Sequence, residues 1–216
     1  MFTRPLLLDG GLSTALEEGG AKLDTSLWSG ELLRSNPEAI HAAHKAYVDA
    51  GAKIVISSSY QISYEGCRKH GWSDEEVDFA LDRATELARF DGVLVAASVG
   101  PYGAMLADGS EYRGNYGLTK DQLKDFHWRR LHVLLHSKPD LLAIETIPDM
   151  LEAEAIIELI EESHHAIPYW ISFSCKDELM ISSGEYFFRA VELVNRAPHA
   201  IGVGINHHHS APHSCS

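Results

Sequence analysis

A chain of 216 residues, 45% hydrophobic and 23% charged, is long enough for one domain with a buried core and has the balance of a soluble globular protein. A net charge of −13 leaves no basic face for phosphate, which argues against nucleic acid and anionic membranes as partners. No apolar run reaches transmembrane length, no signal-peptide pattern opens the chain, and Cys67, Cys175 and Cys215 are too few and too far apart for a disulfide framework, so the cytoplasm is the expected location.

The first element is the apolar run Leu6-Leu7-Leu8, short enough for a buried strand and stopped by Asp9, Gly10 and Gly11. Asp9 then stands where a strand ends, or it caps the helix expected over Leu12 to Glu18. Asn36-Pro37-Glu38 opens the next helix with a capping side chain, a proline in the first turn and an acid at the positive end of the dipole. Ile40, Ala43, Tyr47 and Val48 line one face of it, and Ala50-Gly51-Ala52 closes it. A second strand runs from Lys53 and turns to hydroxyls at Ser58, Ser59 and Tyr60. Ser73 caps a long amphipathic helix over Asp74 to Phe90.

The third strand, Val93 to Val99, stops at Gly100-Pro101-Tyr102-Gly103. A polar loop from Ala107 to Gly117 follows, of the length that forms lids and binding loops. A helix capped by Thr119 runs to about Ser137. The fourth strand, Asp140 to Thr146, ends in Glu145 and Thr146. A helix over Leu151 to Ser163, a fifth strand ending at Ser174 and Cys175, a helix over Glu185 to Asn195, and a sixth strand ending at Asn206 complete the pattern.

Strand and helix alternate throughout, which predicts parallel strands joined by right-handed crossovers. Each apolar run gives way to polar or turn residues at its carboxyl end, and in a parallel barrel those ends share one mouth. Asp9 and Glu145 suit an ammonium group there, and N–H groups of the Gly10-Gly11 turn suit a carboxylate, so a small zwitterion is the expected ligand. Each residue also has a plainer reading. Glu145 could pair with a neighbouring cation, Ser58 and Ser59 could satisfy backbone groups, and Trp28 could simply fill the core.

The same segments resemble the homocysteine S-methyltransferases. The resemblance lies in Leu-Leu-Leu-Asp-Gly-Gly at 6–11, Ser-Leu-Trp at 26–28, Ser-Ser-Tyr-Gln at 58–61, Ser-Val-Gly-Pro-Tyr-Gly-Ala at 98–104 and Leu-Ala-Asp-Gly-Ser-Glu-Tyr-Arg-Gly at 106–114. Glu-Thr at 145–146 and Gly-Ile-Asn at 204–206 continue it, so it covers nearly the whole chain and is most specific over 98–114. It implies an α/β fold of the parallel (β/α)8 TIM-barrel type, of which about six β/α units are present. It implies methyl transfer to homocysteine from S-methylmethionine or S-adenosylmethionine, giving methionine, with a zinc ion held by three cysteine thiolates activating the homocysteine sulfur. By position, Asp9, Gly10, Gly11 and Glu145 would hold the amino-acid end of homocysteine, and Asn206 would stand beside the metal.

The sequence departs from that pattern at its C-terminal end. His207 stands where the family places its first zinc cysteine, and no Gly-Gly-Cys-Cys pair occurs. Residues 1–206 read as an incomplete homocysteine-binding domain and 207–216 as an unrelated His-rich tail, with the domain truncated at its C-terminal end. Zinc is therefore not expected to bind stoichiometrically, because His207, His208, His209, His213 and Cys215 make a poor substitute for the thiolate set. Two functional expectations follow: a methyltransferase of this family, or a non-catalytic truncated form that binds homocysteine weakly or associates with a full-length chain. Open barrel edges would favour self-association.

Overall fold

The computed structural model describes residues 5–23, 27 and 29–208, with backbone alone for His207 and His208. Helices α1 (Leu12–Glu18), α2 (Ser29–Ser35) and α3 (Pro37–Asp49) precede strand β1 (Ile54–Ile56). Then come α4 (Tyr64–Lys69), α5 (Asp74–Leu87), β2 (Leu94–Val99), α6 (Tyr102–Leu106), a 3-10 turn at Ser110–Tyr112, and α7 (Lys120–His136). β3 (Leu141–Ile147), α8 (Met150–Glu162), β4 (Tyr169–Cys175), α9 (Phe187–Asn195) and β5 (Ala200–His208) complete the order. The strands form one five-stranded sheet in the order β1-β2-β3-β4-β5, with β1 parallel to β2 and β4 parallel to β5. No helix among the described residues is long and apolar enough to cross a membrane.

Local chemistry fixes the helix starts. Asn36 accepts from the Ala39 N–H at 3.3 Å. Ser73 and Glu76 form a reciprocal capping box at the head of α5. Thr119 and Gln122 exchange the same kind of bonds, with Gln122 N–H donating to Thr119 Oγ1 at 3.2 Å. α3 closes at Gly51, whose φ of 106° only glycine adopts without strain.

The chain divides into two compact units, Met1–Val99 with Arg130–Leu142, and Gly100–Arg129 with Ala143–Ser216. In the first unit, Val55 of β1 and Val95 of β2 are buried with Ala88, and Val48 and Val93 close over them. The Asp140 carboxylate accepts the Val95 N–H at 2.8 Å, and Asp140 N–H donates to Val95 O at 2.9 Å. In the second unit, Ile144, Ile156, Ile160, Ile171, Phe173 and Val194 are buried, and α9 packs on β5. Lys120 and Lys124 of α7 pair with Glu158 and Glu162 of α8 on the surface of that unit.

Of the six expected strands, five form among the described residues. The first, at Leu6–Leu8, is a single parallel bridge from Leu8 to Ile54. Its physical cause lies on both sides of the run. Pro5 has no N–H to extend a ladder backwards. Forwards, the Ile56 N–H donates to the Asp9 side chain at 2.9 Å, so a carboxylate oxygen takes the place of a strand carbonyl. Leu7 and Leu8 stay 58% and 43% exposed. The helix expected from Glu185 starts at Phe187, because Ile181 and Met180 first form antiparallel bridges with Cys175 and Tyr186. β5 runs to His208, past the boundary expected at 206.

Candidate functional site

In the first unit the centre of interest is the turn at Asp9. Leu7 O accepts from Lys53 N–H at 2.8 Å and Asp9 N–H donates to Ile54 O at 3.0 Å, so the main chain seats the segment against β1. The Asp9 Oδ2 contact with Ile56 then holds the carboxylate at the carboxyl end of β1. Asp9 does not cap α1: the N-cap is Gly11, without a side-chain cap bond. The Tyr47 hydroxyl donates to Gly11 O at 2.9 Å, and its ring crosses Gly10 so closely that a Cβ there would lie 2.8 Å from Tyr47 Cε1. A side chain at position 10 would therefore have to displace the end of the Tyr47 ring, and no left-handed backbone adds a second reason for glycine there. Burial raises the Tyr47 phenol above its usual range, and the charges of Asp9 and Glu18 raise it further.

The hydroxyls after β1 divide into two kinds. Ser57 Oγ and Ser59 Oγ lie 2.9 Å apart, Ser59 donates to Ser98 O at 2.7 Å, and Ser98 N–H donates to Ser57 Oγ at 3.1 Å. These three buried serines tie β1 to β2. Ser58 is also buried, but its hydroxyl has no hydrogen-bond partner among the described residues. Cys67 is buried in α4, and burial pushes its thiol up to about 11.

In the second unit, Glu145 sits half-buried near the end of β3, followed by buried Thr146. Thr146 has φ 61°, a left-handed conformation that a β-branched residue rarely adopts and that costs about 1–3 kcal/mol. Asn206 of β5 compensates. Its Oδ1 accepts the Thr146 N–H at 3.1 Å and its Nδ2 donates to Thr146 Oγ1 at 2.8 Å. The structure therefore brings Glu145, Thr146 and Asn206 together within this unit.

The segment expected to be a loop, 107–117, is pinned along its length. Glu111 O accepts from Ser174 Oγ at 2.8 Å, and Asn115 Nδ2 donates to Ser183 O at 3.0 Å. Gly103 N–H donates to the Tyr116 hydroxyl at 3.1 Å, and a Cβ at Gly103 would meet Glu111 N at 2.4 Å. Beneath this segment Glu152 of α8 is fully buried, with Oε1 accepting Tyr102 N–H at 2.6 Å and lying 2.7 Å from Nε2 of the equally buried His127. Asp149 caps α8 through Glu152 N–H at 2.8 Å and accepts Asn115 N–H at 3.2 Å through its other oxygen. Burial, followed by the neighbouring Glu152 charge, holds the Asp149 carboxyl above the usual range, although both backbone N–H bonds oppose the shift. At the end of β4 the buried Cys175 thiol is raised by burial and by the Asp177 charge.

Residues 6–214 match the homocysteine S-methyltransferase family. The chain belongs to that family. Among its relatives, homocysteine S-methyltransferase 2 of Zea mays is 45% identical, with 93% of this chain aligned to 65% of that protein. Homocysteine S-methyltransferase 1 of Arabidopsis thaliana is also 45% identical, over 93% of this chain and 67% of that protein. The chain thus spans about two thirds of the length of the curated relatives it matches. The metallated homocysteine methyltransferase MmuM of Escherichia coli superposes with a TM-score of 0.89 at 37% identity, over 94% of this chain and 75% of that one.

Membership in the homocysteine S-methyltransferase family raises the question of a metal. A thiolate zinc site needs convergent, deprotonated cysteines. Cys67 and Cys175 are buried and held protonated, and the described residues contain no group of three or more His, Cys, Asp or Glu arranged to hold an ion. The described donors do not fit that site. The side chains of His207 and His208, and the whole of His209, His213 and Cys215, lie outside the described residues, as do Ser26 and Trp28. Tyr47, His127 and Glu152 are features of this family member that sequence reading missed. Tyr47 registers only as a helix-face residue, and nothing in their spacing links His127 to Glu152 on another helix.

Proposed function

We propose that the chain supplies the homocysteine-binding part of an enzyme that transfers methyl from a sulfonium donor, S-methylmethionine or S-adenosylmethionine, to homocysteine to give methionine. The observation that carries this reading is the Asp9 turn. An acid is seated at a strand's carboxyl end by Ile56 N–H, beside two glycines that Tyr47 holds in place. By family position, Asp9, Gly10 and Gly11 of the first unit and Glu145 and Asn206 of the second are each proposed as substrate-binding residues, the carboxylates suiting an ammonium group and the glycine turn a carboxylate. Family likeness supports a parallel barrel with residues 1–206 as its substrate-binding part, and a cytoplasmic location is the matching expectation.

The reaction itself balances simply. The homocysteine thiol releases its proton to solvent and the sulfur attacks the methyl carbon. The carbon–sulfonium bond breaks with its electron pair going to the donor sulfur, which leaves as a neutral thioether. The residues named here bind and orient the amino-acid end, so their effect is one of proximity. The described thiols supply no activating donor set for the attacking sulfur.

A second reading is that the chain binds homocysteine weakly without turning it over, or associates with a full-length chain. Self-association is supported by Ile201 and Ile205 of β5, which are 52% and 50% exposed, and sedimentation over a concentration series would detect it. Calorimetric titration of the 216-residue chain with homocysteine, paired with a methyl-transfer assay, separates the readings. Binding with transfer supports the enzyme, and binding without transfer supports the second reading. Asp9→Asn is expected to weaken binding by about tenfold or more. Unchanged binding in that variant would remove Asp9 from the site.

A further inference from the structure

We propose that Asn206 is a positioning residue whose amide holds Thr146 in its left-handed conformation and thereby sets the direction in which Glu145 is presented to the substrate ammonium. The inference rests on the reading of Glu145 as a homocysteine ligand and gives the neighbouring amide a different job from contact with substrate or metal.

Three observations carry it. First, Thr146 is a buried β-branched residue at φ 61°, inside a strand, immediately after the carboxylate. Such a conformation persists only where its surroundings over-determine it, and observed strain of this kind clusters at functional sites. Second, both ends of the Asn206 amide are engaged by this one residue, Oδ1 by its N–H and Nδ2 by its hydroxyl. Third, β3 and β5 are not neighbours in the sheet, since β4 lies between them in the strand order. The link is therefore not a by-product of strand pairing. It is a side-chain clamp reaching from one strand end to another, and it fixes the dihedral that decides how the chain leaves Glu145.

A clamp differs from a ligand in how its loss can be repaired. Glycine adopts positive φ without a steric penalty. Replacing Thr146 with glycine should make the clamp dispensable, whereas it cannot replace a lost contact to substrate. The experiment compares four proteins by calorimetric titration with homocysteine: wild type, Asn206→Ala, Thr146→Gly, and the double variant. Asn206→Ala is expected to weaken binding about tenfold or more, Thr146→Gly to stay within about threefold of wild type, and the double variant to return to that level. Amide hydrogen exchange at residue 146 should speed up in Asn206→Ala.

Wild-type affinity in Asn206→Ala overturns the proposal. So does a folded double variant as weak as Asn206→Ala, which would mean that the amide touches the ligand itself. Should Asn206→Ala fail to fold, the double variant decides: folded and binding supports the clamp, folded and not binding overturns it, and failure to fold overturns it too, because glycine should have made the amide unnecessary. A wild-type chain that does not bind homocysteine overturns the reading of Glu145 and the clamp's purpose with it, a result distinct from a binding wild type indifferent to Asn206.

Discussion

In the first unit the key carboxylate is held by main chain: Asp9 accepts the Ile56 N–H, and the turn behind it is fixed by a tyrosine hydroxyl on a glycine carbonyl. In the second unit the corresponding work falls to side chains. Asn206 clamps a strained Thr146 beside Glu145, and the buried Glu152–His127 pair anchors the segment that starts at Tyr102. Main-chain contacts survive most substitutions, because every residue but proline carries the same donors and acceptors. Side-chain networks do not, because removing one member leaves another buried and unmatched. The first unit should therefore fail through volume and protonation, and the second through deletion of a partner.

The largest break should come at His127. His127→Ala strands the Glu152 carboxylate without its imidazole and is expected to cost about 3–5 kcal/mol in urea unfolding. His127→Gln, which keeps a donor, should cost clearly less. A loss below about 1 kcal/mol for the alanine would show that the pair anchors nothing.

Next in size is a pH effect in the first unit. His44 of α3 is buried with no hydrogen-bond partner for either ring nitrogen among the described residues, and burial, aided by the His41 charge, lowers its pKa to about 4. The unfolded chain binds this proton from about pH 6.5 downward, whereas the folded chain resists it until about pH 4. Stability from this residue is complete above pH 6.5 and is lost as pH falls toward 4, by about 3 kcal/mol in all. Unfolding curves across that window should flatten in His44→Leu, and an unchanged slope would assign the pH dependence elsewhere.

The smallest effect sharpens the comparison at the Asp9 turn. Gly10→Ala drives a methyl group into the Tyr47 ring, whose hydroxyl is tethered to Gly11. A cost of about 1–3 kcal/mol is expected, and it should shrink when Tyr47 is also replaced by alanine. Equal costs in both backgrounds would remove the ring as the reason for glycine.

Much of this was written in the sequence. Apolar runs cut by glycine or polar residues located β1 to β5, and Asn36 and Ser73 announced their helices through short-range capping chemistry. The first strand misled because its pattern is that of a strand while its ladder is completed by an Asp side chain, which periodicity does not register. Asp9, Gly10 and Gly11 stood out as a turn, but the reason for Gly10 is a ring thirty-seven positions later in the chain. His127 and Glu152 read as ordinary polar positions on two helices, and only tertiary packing makes them partners. The left-handed state of Thr146 has no local signature at all, since threonine is among the last residues expected there.

The burial of Cys67 has a consequence for durability. A thiol whose pKa stands at about 11 is ionised in only about one molecule in ten thousand at neutral pH. Oxidation to sulfenic acid, disulfide exchange and alkylation all begin from the thiolate. While the first unit stays folded, α4 is therefore chemically quiet toward peroxide and electrophiles, and its cysteine serves as a packing atom whose reactivity appears only when the helix opens.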